Sequence, residues 1–318
     1  MIEFLYISQF KIILELTNSL VLSPLIVIIH IGVNNMKTIK LYNGKEIPVV
    51  GYGTWLIKNS DAAQCVKTAL ECGYRHIDTA QAYGNEVGVG EGIRQSGIKR
   101  EDIYITTKVK AEYKSYKKAK ASIDKSLKDL GVDYVDLILI HCPQPWILFR
   151  SKRRFFKENI AVWKALEEAY KEGKVKAIGV SNFLIDDLEN IISNCEIKPM
   201  VNQILCHIGN TPIDVIKYCQ ENDIVVEAYS PIAHGAALKN EVIAKFAEKY
   251  HVSVAQLCIK YTLQIDTVSL PKASSRNHIE ENMKLDFEIS QEDMVELTKL
   301  NEIDYGKDSL WPVFHKSK

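Results

Sequence analysis

After residue 36, hydrophobic positions fall into short apolar runs separated by longer stretches whose apolar residues recur at helical spacing. The runs read as strands at 49–53, 76–78, 103–108, 135–141, 177–182, 200–204, 225–230 and 267–271. The stretches between them read as helices at 60–72, 85–95, 116–130, 159–172, 185–194, 214–221 and 254–264. An earlier pair, "TIKL" and "EIPVV", flanks Asn43-Gly44 and predicts a β-hairpin, because Asn-Gly supplies the turn such hairpins need. Alternating strand and helix units with no Pro- or Gly-rich linker predict one α/β domain, either a (β/α)8 barrel or a doubly wound sheet.

The polar residues bear on that choice. In barrels, chemistry gathers where strands end, at the C-terminal face. Here the runs end, in order, at Thr54-Trp55, Asp78, Lys108, His141, Ser181-Asn182, Gln203, Tyr229-Ser230 and Lys272. Endings of this kind in register argue for one shared pocket. The stretch "GYRHIDTAQAYGNE" adds Tyr83 just beyond Asp78. Alone, Asp78 reads as a helix cap, Tyr83 as a rim aromatic, Lys108 as a solvated charge and His141 as a satisfied core histidine. Their placement on consecutive strand ends is what points to chemistry.

Residues 1–35 differ in character from the rest. "VLSPLIVIIHIGV" is apolar but short and interrupted by Pro24 and His30. A spanning helix needs about 20 apolar residues, and the basic start and small-residue cleavage site of a signal peptide are missing. We expect this leader to lie outside the domain, with Met36 as initiator and the domain running over 36–318; a weak membrane anchor is the alternative.

Composition narrows the function classes. With 318 residues, 47% of them hydrophobic and 25% charged, the chain has ordinary globular composition and length for a large core. A balance of 40 basic and 40 acidic residues gives no general pull toward nucleic acid. The densest basic run, "RSKRRFFK", reads as a solvated loop. Seven cysteines, an odd number without C-x-x-C spacing, read as reduced thiols of a cytoplasmic protein, and no metal site is expected.

Two dehydrogenase-like signals fail on spacing or context. "GVGEG" lacks the third glycine of a dinucleotide loop, since that position is Ile93, and it lies inside a helix candidate. It reads as a face of small residues packed close to a neighbour. Tyr113 and Lys117 have Y-x-x-x-K spacing, but no glycine-rich loop follows the first strand.

Six stretches, in order, resemble signatures of the aldo-keto reductases: "GYRHIDTAQAYGNEVGVG", "ILIHCPQPW", "GKVKAIGVSNF", "VNQILCH", "VEAYSPIAHG" and "LPKASSRNHIEEN". The likeness covers about residues 37–302 and is closer to the bacterial-type branch, similar to diketo-gluconate and methylglyoxal reductases. It implies a (β/α)8 TIM barrel with a short N-terminal β-hairpin, binding a nicotinamide cofactor without a Rossmann fold.

The resemblance also implies roles. Asp78, Tyr83, Lys108 and His141 match the family's catalytic tetrad. Tyr83 would be the general acid, its pKa lowered by the Lys108 ammonium, which Asp78 would hold. His141 would orient and polarise the substrate carbonyl. Ser181, Asn182 and Gln203 match groups that bond the nicotinamide carboxamide, and Tyr229 the ring that stacks on it. Thr54 and Ser230 match cofactor contacts, Trp55 a substrate-pocket wall. Lys272, Ser275 and Arg276 fall at the 2′-phosphate site, Glu281 and Asn282 at the adenine site. The chain departs from the family at Cys142, where tryptophan is common, and at Ala273 and His278 in the phosphate motif.

The expected activity is NADPH-dependent reduction of an aldehyde or ketone by direct hydride transfer, with NADH also accepted. A cofactor-binding regulatory subunit on the same barrel is the alternative. A small carbonyl compound is the expected partner, with no nucleic acid, no membrane, and a monomeric chain.

Overall fold

The computed structural model describes residues 29–31, 37–300 and 303–314. An antiparallel sheet comes first. Strand β1 (Ile29–Ile31) pairs with β2 (Lys37–Lys40), which pairs with β3 (Glu46–Pro48). Most of the leader falls outside the described residues; its part in β1 is hydrogen-bonded to β2. The hairpin turns at Gly44, whose φ of 83° only glycine adopts freely. Ile39, Leu41 and Ile47 bury into the main core. Tyr42 and Asn43 bond the carbonyls of Lys198 and Lys176, which precede two barrel strands. The hairpin therefore covers the N-terminal end of the barrel.

The barrel strands are β4 (Tyr52–Gly53), β5 (His76–Asp78), β6 (Tyr104–Val109), β7 (Leu137–Ile140), β8 (Ile178–Ser181), β9 (Val201–Leu205), β10 (Val225–Tyr229) and β11 (Val268–Leu270). All pair in parallel, each with its sequence neighbours. A bridge between Val50 and Ser269 joins the last strand to the first, and backbone bonds from Gly51 to Ser269 and Gly53 to Pro271 continue that seam. The barrel wins over the doubly wound sheet because this edge is closed. Strands such as β6 and β7 are buried along their whole length, between side chains inside the barrel and helices outside, so they read as continuous apolar runs.

Helices α1 (Asn59–Glu71), α2 (Glu86–Ser96), α3 (Tyr116–Leu130), α4 (Phe156–Lys171), α5 (Ile185–Ile192), α6 (Ile213–Glu221) and α8 (Val254–Gln264) occupy the stretches the periodicity assigns to them. Helix α8 starts at a reciprocal cap between Ser253 and Gln256. Three further helices, α7 (Glu241–Lys249), α9 (Arg276–Glu281) and α10 (Gln291–Thr298), were not expected. Residues of α7, α8 and α10 form a second apolar cluster around Leu257, Tyr261 and Leu297.

The glycines of "GVGEG" lie on α2 and do serve close packing. A Cβ at Gly88 would sit 2.4 Å from the Asn59 carbonyl oxygen, at Gly90 2.0 Å from that of Leu130, and at Gly92 2.5 Å from that of Ala63. Only hydrogen fits at these contacts with α1 and the end of α3. Among the described residues, no helix is long and apolar enough to cross a membrane.

Candidate active site

The register of the parallel ladder brings the strand ends to one face. Asp78 is the last residue of β5 and Lys108 the penultimate residue of β6, so both reach the upper barrel interior. Lys108 Nζ donates to Asp78 Oδ1 at 2.7 Å, to Oδ2 at 2.8 Å and to the Thr79 carbonyl at 2.8 Å. It lies 3.5 Å from the Tyr83 hydroxyl. Tyr83 stands on a single 3₁₀ turn, Gln81–Tyr83, beyond β5 and packs edge-on against the His141 ring, centroids 5.6 Å apart. The four residues thus form one group.

Electrostatics in this group differ from the expectation in one respect. The Tyr83 phenol is held well above its usual pKa, by burial and then by the Asp78 carboxylate, rather than lowered by Lys108. Burial is the main reason, and the Asp78 carboxylate, which grips Lys108 through both oxygens, adds to it. Tyr83 is therefore a protonated donor at neutral pH. Burial, then the charges of Lys108 and Lys114, hold His141 well below its usual range, so the imidazole is neutral. Its Nδ1 is buried without a hydrogen-bond partner among the described residues.

Beneath the tetrad positions the barrel interior is polar. Gln203 Nε2 donates to Asp78 Oδ2 at 2.9 Å and to Glu227 Oε2 at 2.7 Å, while Oε1 has no hydrogen bond among the described residues. Glu227 is fully buried, and burial followed by the Asp78 charge pushes its pKa up to about 8. Its other oxygen lies 3.7 Å from His76 Nε2, and that imidazole is pushed down to about 4, chiefly by burial. Glu227 and His76 escaped the sequence reading. Each lies two residues before a strand-end residue that was singled out, Tyr229 and Asp78, and period-two alternation puts such residues on the same face.

The remaining candidates fall into two groups. In the first, Asn182, with a left-handed φ of 61°, donates to Ser181 Oγ at 3.0 Å and accepts from the Tyr229 hydroxyl at 2.7 Å. Ser230 follows, also left-handed with φ 52°. The Thr54 hydroxyl donates to the Asp78 carbonyl at 3.0 Å. Trp55 packs against His234 and Trp311, centroids 5.0 and 5.5 Å away, and Phe314 lies beside them. These C-terminal aromatics were not anticipated, because the tail carries no periodic pattern. Trp146 faces His141 at 5.1 Å.

The second group lies beyond β11. Lys272 is exposed and makes no ion pair among the described residues. Ser275 caps α9, accepting from the His278 N–H. Arg276 pairs with Glu71 on α1. Glu281 is half-buried, and Asn282 is buried with no side-chain hydrogen bond among the described residues. The two groups fit a nicotinamide dinucleotide phosphate. The first offers amide and hydroxyl groups and a ring face, and the second offers an unpaired ammonium and an unpartnered buried amide. Among the described residues, no group of three or more His, Cys, Asp or Glu side chains is arranged to hold a metal ion.

Comparison with known proteins agrees with this geometry. Residues 49–302 match the model of the aldo/keto reductase family. The chain is 44% identical over 266 residues to glyoxal reductase of Bacillus subtilis, covering 83% of this chain and 92% of that protein. It is 39% identical over 273 residues to 9,11-endoperoxide prostaglandin H2 reductase of Trypanosoma cruzi, covering 84% and 93%. An aldo/keto reductase structure from Brucella melitensis superposes with a TM-score of 0.77 at 39% identity, over 83% of this chain and 99% of that one. A solved aldo-keto reductase complexed with NADPH gives a TM-score of 0.76 at 34% identity, over 84% and 88%. With this barrel, this set of strand-end residues and relatives of this identity, the chain belongs to the aldo/keto reductase family and is an NAD(P)H-dependent oxidoreductase.

Proposed function

We propose that the chain reduces aldehydes or ketones, small α-dicarbonyls among them, to alcohols with NADPH, Tyr83 serving as general acid. The observation that carries the reading is the buried Lys108–Asp78 pair set 3.5 Å from a phenol that is protonated at neutral pH. The cofactor, when bound, supplies the hydride for the carbonyl carbon. Tyr83 gives its proton to the carbonyl oxygen, and Lys108 stabilises the tyrosinate left behind. Asp78 keeps Lys108 in place. His141 is neutral with its Nδ1 buried, so Nε2 is the nitrogen that meets the carbonyl oxygen.

Ser181, Asn182 and Gln203 Oε1 would hold the carboxamide, and Tyr229 would pack on the ring. Lys272, with Ser275, would meet the 2′-phosphate, which favours NADPH over NADH. Trp55, Trp146 and Trp311 would wall the substrate side. The glyoxal reductase relative supports a small dicarbonyl substrate. The described cysteines are free, as suits a reducing cytoplasm. The test is NADPH oxidation by the purified chain against a panel of carbonyl compounds. No turnover of any aldehyde, ketone or dicarbonyl would rule the reading out.

A further inference from the structure

Strand β7 ends at Ile140, just before His141, so the carbonyls that follow have lost their ladder partners. Three consecutive ones are each taken by a side chain from a different element. Asn182 Nδ2 donates to the His141 carbonyl at 3.1 Å, Lys114 Nζ to that of Cys142 at 2.7 Å, and Asn159 Nδ2 to that of Pro143 at 2.9 Å. Lys114 also donates to Asn159 Oδ1 at 2.9 Å, which joins two of the three anchors. Among the described residues, the His141 ring has no hydrogen-bond partner at its buried Nδ1. Its orientation rests on this backbone and on packing against Tyr83 and Trp146.

We propose that Lys114, linked to Asn159, is a positioning residue that fixes His141 against the substrate carbonyl. The proposal rests on the reading of His141 given above. Lys114 lies in the loop between β6 and α3. The groups facing it are the Cys142 thiol, Glu112, Asp187 and Glu158, and Asp187 is engaged by Arg154 at 2.8 Å. Burial outweighs these neighbours and brings the Lys114 ammonium down to about 8. The clamp is thus charge-assisted at pH 7 and loses that charge as pH rises through about 8. The ammonium also acts at a distance, since with Lys108 it disfavours the imidazolium form of His141.

The experiment uses full-length protein with NADPH and a simple aldehyde. Lys114→Met is expected to lower kcat/KM about tenfold, mostly through kcat, because a displaced orienting group costs rate rather than binding. NADPH affinity should change less than about twofold. The His141 imidazole, followed by NMR in the complex with NADP+, should titrate at higher pH in Lys114→Met. Lys114→Arg, which keeps its charge, should restore activity and lack the wild-type loss of kcat/KM near pH 8. Wild-type kcat/KM in Lys114→Met with an unmoved imidazole overturns the proposal. If Lys114→Met does not fold, a Lys114→Arg profile that still falls near pH 8 overturns it alone. His141→Gln separates the two readings: full activity there removes the role of His141 itself, whereas an impaired His141→Gln beside an unimpaired Lys114→Met removes only the clamp.

Discussion

Lys108 donates to both carboxylate oxygens of Asp78, at 2.7 and 2.8 Å, and so reaches the Tyr83 hydroxyl as half of a neutral pair. The phenol in this state keeps its proton until a substrate oxygen develops charge beside it. Tyr83→Phe retains the ring and removes that proton. Reduction of a simple aldehyde should slow by about 10²-fold or more in kcat, the usual scale of general-acid help. NADPH affinity should stay near wild type. Steady-state kinetics with a fluorescence titration checks both, and near-wild-type kcat would remove Tyr83 from the acid role.

The interior carboxyl of Glu227 makes stability depend on pH. Its pKa is near 8 in the fold against 4.5 for an unperturbed side chain, so between those values the folded state binds the extra proton. Stability contributed by this group is complete below pH 4.5 and is lost as pH rises toward 8. His76, lowered to about 4, works in the opposite sense between about 4 and 6.5. Glu227→Gln copies the protonated shape. Between pH 6.5 and 8 wild type should lose stability relative to Glu227→Gln, by at most about 1.4 kcal/mol per pH unit. Urea unfolding at several pH values measures the difference, and parallel profiles would contradict it.

Lys272 and Arg276 lie four residues apart in the sequence but differ in engagement. Lys272 is unpaired among the described residues, whereas Arg276 is bound to Glu71. Lys272→Met should weaken NADPH by one to two orders of magnitude, from loss of a charge-assisted bond worth about 1.5–3 kcal/mol. NADH binding should barely change. Arg276→Met should leave both cofactors nearly unaffected. Titrating the two cofactors against each variant decides this, and equal losses for NADPH and NADH in Lys272→Met would show that the 2′-phosphate is read elsewhere.

Gly90→Ala tests the contact between α2 and the end of α3. The added carbon would lie 2.0 Å from the Leu130 carbonyl oxygen, a backbone atom that cannot swing aside. The helices must separate, at a cost of about 1–3 kcal/mol or more. Thermal unfolding should show a lowered midpoint, while Gly97→Ala, with nothing within 4 Å but a φ of 70°, should cost only its backbone strain.

The sequence disclosed the barrel because its strands are short apolar runs between amphipathic helices, and α3 and α8 begin and end where the periodicity puts them. The choice of barrel over open sheet was legible through polar strand ends and the six family-like stretches, since closure at Val50 and Ser269 leaves no local signal. Helix α4 starts earlier than its pattern, at Phe156, within a run that looked like charged loop. Glu227 passed unseen because one carboxylate in an apolar strand resembles an exposed position until the facing strand supplies Gln203. The direction of Arg276 depends on Glu71, far away in sequence, and no local pattern encodes such a pairing.

The seam between Val50 and Ser269 also bears on how the molecule is made. Every other barrel pairing joins strands adjacent in sequence, so the sheet can grow in order as the chain emerges. The closing pair cannot form until β11 is available. Until then the growing sheet presents two open edges, each a template for another chain. Folding should therefore be limited by a late, non-local closure, and chains cut short before β11 should aggregate even with every tetrad position already in place.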